Sequence, residues 1–240
     1  MAGFFKRFKI NAVTEKRLGS YLLYAVGEII LVVVGILIAL QINNHNERNR
    51  QEVRLYTILK NVSYDLEMDT LMVSQAIAYY EDKEEIAAEI LKDTYTAETY
   101  ETCIPCGNML GTYFPLTLND KGYTQLKSYN EASKEKDSLA IEIVQFYTAF
   151  NALVEEFTAQ VKDNTFDNLK HWRDTQPWFY KVTSQQRDPR FFEYMTTLDY
   201  KNRVAFYDAI ACKNLKGVLS GYKTNANEVL RRIELRLGED

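Results

Sequence analysis

The stretch YLLYAVGEIILVVVGILIALQI, Tyr21 to Ile42, decides the architecture. It is apolar almost throughout, with one acid, Glu28. As a helix, its 22 residues span roughly 33 Å at about 1.5 Å each, enough to cross a hydrocarbon core of about 30 Å. A cleaved signal peptide has a shorter apolar region and an A-x-A-like exit. Here Ala39 is followed by Leu40, Gln41 and Ile42. Few soluble core helices carry twelve consecutive apolar residues such as Ile29 to Leu40. The stretch reads as an uncleaved membrane anchor.

Flanking charge orients it. Lys6, Arg7, Lys9, Lys16 and Arg17 precede the stretch, and Arg48, Arg50, Arg54 and Lys60 follow it. Closest to the membrane, Lys16 and Arg17 face the uncharged Asn43, Asn44, His45 and Asn46. The positive-inside rule then favours an N-terminus in the cytoplasm and the bulk of the chain outside. An acid inside the span is costly when ionised and lipid-facing. Glu28 either hydrogen-bonds toward Tyr24 one turn back or meets another helix. Gly35 and Ala39, four residues apart, would allow such a close approach. Glu28 and Gly35 lie on nearly the same face.

Residues 43–240 suffice for one domain with its own core. The net charge is −4; residues 1–20 contribute +4 and Glu28 −1, which leaves about −7 for the remainder. An acidic domain is a poor partner for nucleic acid. Four Pro and ten Gly are few for this length and favour long helices over turn-rich β structure.

Hydrophobic spacing predicts a helix from Glu47 to about Lys92, with Leu55, Leu59, Val62, Leu66, Val73, Ala76 and Tyr80 on one stripe that Asp69 interrupts. The stripe suits the core face of a bundle better than a coiled-coil seam. Residues 93–120 read as loop, Gly122 to about Tyr129 as a short helix, and 136–169 as a second long helix carrying Leu139, Ile143, Phe146, Phe150, Leu153 and Phe157. A second loop covers 174–188. Asp188 before Pro189 is a helix start. The last helix runs from about Asp199 to Leu237, with Gly217 and Gly221 as expected bends. The fold class is all-α: one N-terminal transmembrane helix, then a long-helix bundle with loop-rich insertions. The domains expected are a short cytoplasmic tail at 1–20, the span at 21–42, and a periplasmic helical domain at 43–240.

Cys103 and Cys106 form C-I-P-C, the clearest chemical motif. Such a pair serves as a local disulfide, a redox dithiol or half a zinc site. In an oxidising compartment a structural disulfide is the default. A thioredoxin-like role asks for a preceding strand, which Tyr95 to Thr102 does not suggest, and a zinc site asks for two further soft ligands. Cys212 reads as a buried thiol. Only two histidines are present, and no G-x-S-x-G elbow or phosphate-binding glycine loop accompanies them. Asp65, Glu67 and Asp69 resemble a solvated helix face. Trp172, Trp178, Phe179 and Tyr180 either pin the second loop or form an interaction surface.

The tract from Tyr21 to Glu47, with Gly27, Glu28, Gly35, Ala39, Gln41, Asn43 and Asn44, resembles a family of single-pass membrane proteins of uncharacterised function common in Bacteroidota. Leu55 to Asp69 resembles that family's helix after the membrane, and Asn119 to Tyr147 its turn followed by a Tyr-containing helix. A Gly that its pattern carries near 128–130 is missing here. The C-I-P-C pair is not associated with the family. The resemblance implies an inner-membrane anchor with a periplasmic helical domain, and no known activity.

These readings combine into a non-enzymatic, membrane-anchored envelope protein that contacts other proteins or further copies of itself. Its partners are the lipid bilayer and protein; no cofactor is expected. Two alternatives remain: a periplasmic ligand-sensing bundle acting through a partner membrane protein, and a thiol-disulfide oxidoreductase using Cys103 and Cys106.

Overall fold

The computed structural model describes residues 18–133 and 135–238. Of the expected tail, residues 1–17, with Lys16 and Arg17, lie outside the described residues. The chain divides into two compact units, residues 1–55 and 56–240. Helix α1, Leu18–Leu91, contributes to both. Among the described residues every regular element is helical.

In the second unit, the sequence pattern explains α1 from Tyr56 onward. Leu59, Val62, Leu66, Val73, Ala76 and Tyr80 are all buried, as steps of three and four require of one helix face. Asp93, at φ 61°, stops the helix in the left-handed region that Asp tolerates.

The segment expected as a loop, 93–120, is a structural leg of the bundle. It begins with short helices α2 (Ala97–Thr102) and α3 (Ile104–Gly107). It then runs back along α1. Lys83 meets Asn108 and Thr112, Tyr80 meets Phe114, and Asp69 meets Asn119. The distances agree: fourteen helical steps from Lys83 to Asp69 rise about 21 Å, and seven extended steps from Thr112 to Asn119 cover about 23 Å. Pro115 and the residue before it keep this stretch out of a helix. Helix α4, Lys121–Ala132, continues the same leg, with Asn61 Nδ2 donating to Gln125 Oε1 at 2.8 Å.

Helix α5, Ser138–Thr175, is capped by Asp137, whose side chain accepts from Ala140 N. Leu139, Ile143 and Phe146 face the core as expected, but Leu153 is 41% exposed. The buried face continues instead through Val154, Thr158, Val161, Thr165, Asn168 and Trp172. A polar half-face hid it from the apolar count. The expected loop at 174–188 contains a short helix, α6 (Phe179–Thr183). Asp188 caps α7 (Pro189–Met195) with Pro at its start, as the sequence indicated.

The last leg is α8 (Leu198–Tyr207), a π-helical segment (Asp208–Leu215) and α9 (Lys216–Leu237). The irregularity lies upstream of Gly217 and Gly221, the residues expected to bend it. The wider π winding buries Ile210, Ala211 and Cys212 in succession. This leg runs antiparallel to both α1 and α5: Glu84 pairs with Lys213 and Lys216, Asp69 with Tyr222, Asn168 with Arg203 and Glu142 with Arg232. The second unit is therefore an up-down-up-down bundle whose second leg is half extended chain.

Candidate functional site

In the first unit, the apolar stretch presents its side chains outward. The most apolar 18-residue window of α1 has a mean hydropathy of 2.6, and none of it is buried. Leu31 is 76% exposed and Ile29 63%. A Cβ built on Gly27 or Gly35 meets no atom within 4 Å. Glu28, Gly35 and Ala39 lie on this open surface. By length and composition this is a candidate span.

In the second unit, the acidic cluster departs from the solvated face that its sequence suggests. Glu67 is exposed, but Asp65 and Asp69, one turn apart, are buried. Asp69 accepts from Asn119 N at 3.0 Å, Asn119 Nδ2 at 2.7 Å and Tyr222 OH at 3.2 Å. Burial raises its pKa, against the pull of these donors. Asp65 accepts from Gly122 N at 2.7 Å. Tyr147 stacks on Tyr123 at 5.1 Å, and its buried hydroxyl has no partner. The two carboxylates clasp the start of α4 to α1. Asp69 is held by donors on both oxygens, whereas Asp65 holds the start of α4 through one. Nothing local in the sequence could have shown this, because the partners lie fifty and more residues away.

Lys83 carries no distinguishing signal in the sequence. It is buried, and its ammonium donates to Asn108 O, to Met109 O at 3.1 Å and to Thr112 Oγ1 at 3.1 Å. All three ammonium hydrogens are thereby used. Rings of Tyr79 and Tyr207 lie 5.4 and 5.9 Å from Nζ. Burial pulls its pKa down to about 8. Cys212 is buried as expected, and burial pushes its thiol up to about 12. Such a thiol is unreactive at neutral pH.

Cys103 and Cys106 are disulfide-bonded. Cys106 is buried, and Tyr200 OH donates to its carbonyl at 3.2 Å. The loop closed is very short, so the cross-link removes little unfolded-state entropy. Replacing both cysteines with Ser is expected to lower stability by about 2 kcal/mol, read from the denaturant midpoint of the full chain in detergent. An unchanged midpoint would deny the bond a structural role.

The aromatic residues 172–180 do not form one surface, which corrects the interaction-surface reading. Trp172 and Trp178 are buried, Phe179 is half-buried, and only Tyr180 is exposed. Trp172 Nε1 donates to Tyr194 OH at 2.8 Å, and Trp178 packs on Phe191 at 4.8 Å. These rings pin the loop. Asp188 behind it is buried and held well below the usual carboxylate range by hydrogen bonds from Arg190. His171 lies half-exposed, 3.7 Å from Asp199. Among the described residues no three of His, Cys, Asp and Glu gather in a way that could hold a metal ion.

A family model described as a family of unknown function (DUF6090) matches residues 28–170, more than half of the chain. It spans Glu28, the clasp carboxylates, the C-I-P-C pair and most of α5, and ends before Trp172. No curated protein and no solved structure matches the chain.

Proposed function

The chain belongs to the DUF6090 family, whose function is unknown, and from that premise we propose that it is a bilayer-anchored, non-enzymatic interaction module. Residues 21–42 span the inner membrane once, the N-terminus is cytoplasmic, and the helical bundle stands in the periplasm and contacts protein partners or further copies. The observation that carries this reading is the run of outward-facing apolar side chains between Val26 and Ile42. Left in water, each large apolar side chain forgoes about 1.5–3 kcal/mol of burial; lipid supplies the missing cover. Two observations favour the periplasmic side: the uncharged Asn-rich exit after Ile42 and the Cys103–Cys106 disulfide, which suits an oxidising compartment. Glu28, Gly35 and Ala39 are the residues placed to meet a partner helix within the bilayer.

Alkaline carbonate extraction followed by protease treatment tests both parts. The full-length chain is expected to stay with the membranes, and protease admitted to the periplasm is expected to digest everything beyond about residue 43. Release into the supernatant would remove the anchor; a protected C-terminal bundle would reverse the orientation.

A further inference from the structure

The half-extended second leg has a consequence for α5. An extended chain is thinner than a helix, whose diameter with side chains is about 10 Å. Where residues 113–120 stand in place of a helix, a cleft of about 520 Å³ opens against α5. That volume falls in the range of small-molecule sites, about 300–1,000 Å³.

One face of α5 forms its wall, including Asn151, Val154, Glu155, Thr158 and Lys162. Two polar atoms there are buried without a partner, Thr158 Oγ1 and Asn151 Oδ1. Thr158 is only 9% exposed. Its isolation is unusual within this helix. Thr148, Thr165 and Thr175 each return their hydroxyl to the carbonyl four residues earlier. A buried polar atom left unpaired costs about 1–3 kcal/mol; both oxygens are closed off from the cleft, and a rotation of either side chain toward it would let a ligand relieve that cost.

The charges are arranged by sign. Gly111 lies against Leu169, and Tyr113 against Phe166, so 113–120 and α5 run in opposite directions. Asp120, Asn151 and Glu155 therefore share one end of the cleft, and Lys162 lies toward the other. Tyr113, Pro115 and Leu116 supply apolar wall. From Glu155 to Lys162 the helix rises about 10.5 Å, close to the length of an extended tripeptide at about 3.3–3.6 Å per residue.

We propose that this cleft binds a short apolar peptide of two or three residues with both termini free. The peptide ammonium meets Asp120 and Glu155, its carboxylate meets Lys162, and its amide groups pair Asn151 Oδ1 and Thr158 Oγ1 once those two side chains turn into the cleft. The proposal goes beyond the anchoring role and stands on residues of the second unit alone.

Calorimetric titration and thermal melting of the full chain in detergent test it, with Ala-Leu and Ala-Leu-Ala as probes against leucine, the N-acetylated and C-amidated tripeptide, and maltose. The free peptides are expected to bind and raise Tm, and the blocked form to bind at least about tenfold more weakly. Lys162→Met is expected to weaken the free peptides by about tenfold while leaving the blocked one unchanged. Thr158→Val is expected to weaken binding while leaving the ligand-free Tm equal or higher, since it removes an unpaired hydroxyl. Absence of binding by either free peptide at about 10 mM would overturn the proposal. So would tighter binding of leucine or maltose, equal binding of the blocked peptide, unchanged affinity in both variants, or a lowered ligand-free Tm in Thr158→Val.

Discussion

Gly122→Ala is expected to cost the bundle about 4 kcal/mol, combining overpacking with the loss of a hydrogen bond to a carboxylate. The reason is a close approach of two backbones. A Cβ at position 122 would lie 2.8 Å from both Cα and N of Val62, and 3.0 Å from Asp65 Oδ2. Val62 is fully buried in the middle of α1, so its backbone has nowhere to retreat. If α4 withdraws instead, Gly122 N loses Asp65 and Asn61 loses Gln125. Against a typical domain stability of about 5–15 kcal/mol, such a loss unfolds a large fraction of molecules. Gly217→Ala provides the contrast. That glycine is helical, and its added Cβ meets no atom within 4 Å. It is expected to stabilise α9 by up to about 1 kcal/mol. Chemical denaturation of the full chain in detergent, followed by helical circular dichroism, compares the two. Similar midpoints for both variants would contradict the close packing of α4 on α1.

The sequence disclosed those parts of the fold that one element determines by itself. The stripe from Leu59 to Tyr80 was readable because its period is a property of α1 alone. Asp188 before Pro189 marked a helix start for the same reason: the cap acts within three residues. What depends on distant partners was hidden. Asp65 and Asp69 read as a wet face because a carboxylate looks polar whatever it touches, and their donors come from 119, 122 and 222. The stretch 93–120 read as a loop because Pro115 and the nearby glycines do break helix. That this broken chain still forms much of the bundle's second leg is a tertiary fact. The π winding at Asp208–Leu215 has no residue that demands it locally. Trp172 and Trp178 offered two readings, and burial decided between them. The cleft was invisible too, because nothing in the sequence separates Thr158, which lacks a carbonyl partner, from Thr165, which has one.

Asp69→Ala is expected to destabilise the bundle by about 3 kcal/mol at neutral pH, because it leaves buried donors unpaired. Tyr222 is fully buried, so its hydroxyl cannot turn to water; Asn119 loses partners for both its backbone and side-chain N–H. Asp69→Asn separates hydrogen bonding from charge. Its amide oxygen still accepts from Asn119, and its amide nitrogen can donate to the Tyr222 oxygen, so the loss at neutral pH is expected to be about 1 kcal/mol or less. The pH dependence then carries the sign. Burial raises the Asp69 pKa in the folded chain above its ordinary value of 3.8. As pH falls through that raised value, the folded state takes up a proton before the unfolded state does. Protonation therefore stabilises the fold through this residue, and the gain is complete below about 3.8, where both states are protonated. Other carboxylates, such as Asp188, act in the opposite direction, since their folded pKa values are depressed. The difference between wild type and Asp69→Asn cancels those contributions. Wild type is expected to gain on the Asn variant as the medium is acidified from neutral, by an amount that levels off below about pH 3.8. Paired denaturant titrations at a series of pH values measure that difference directly. A difference that shrinks on acidification would mean that Asp69 is stabilised as a carboxylate by its donors more than it is penalised by burial. The clasp would then hold through charge rather than despite it.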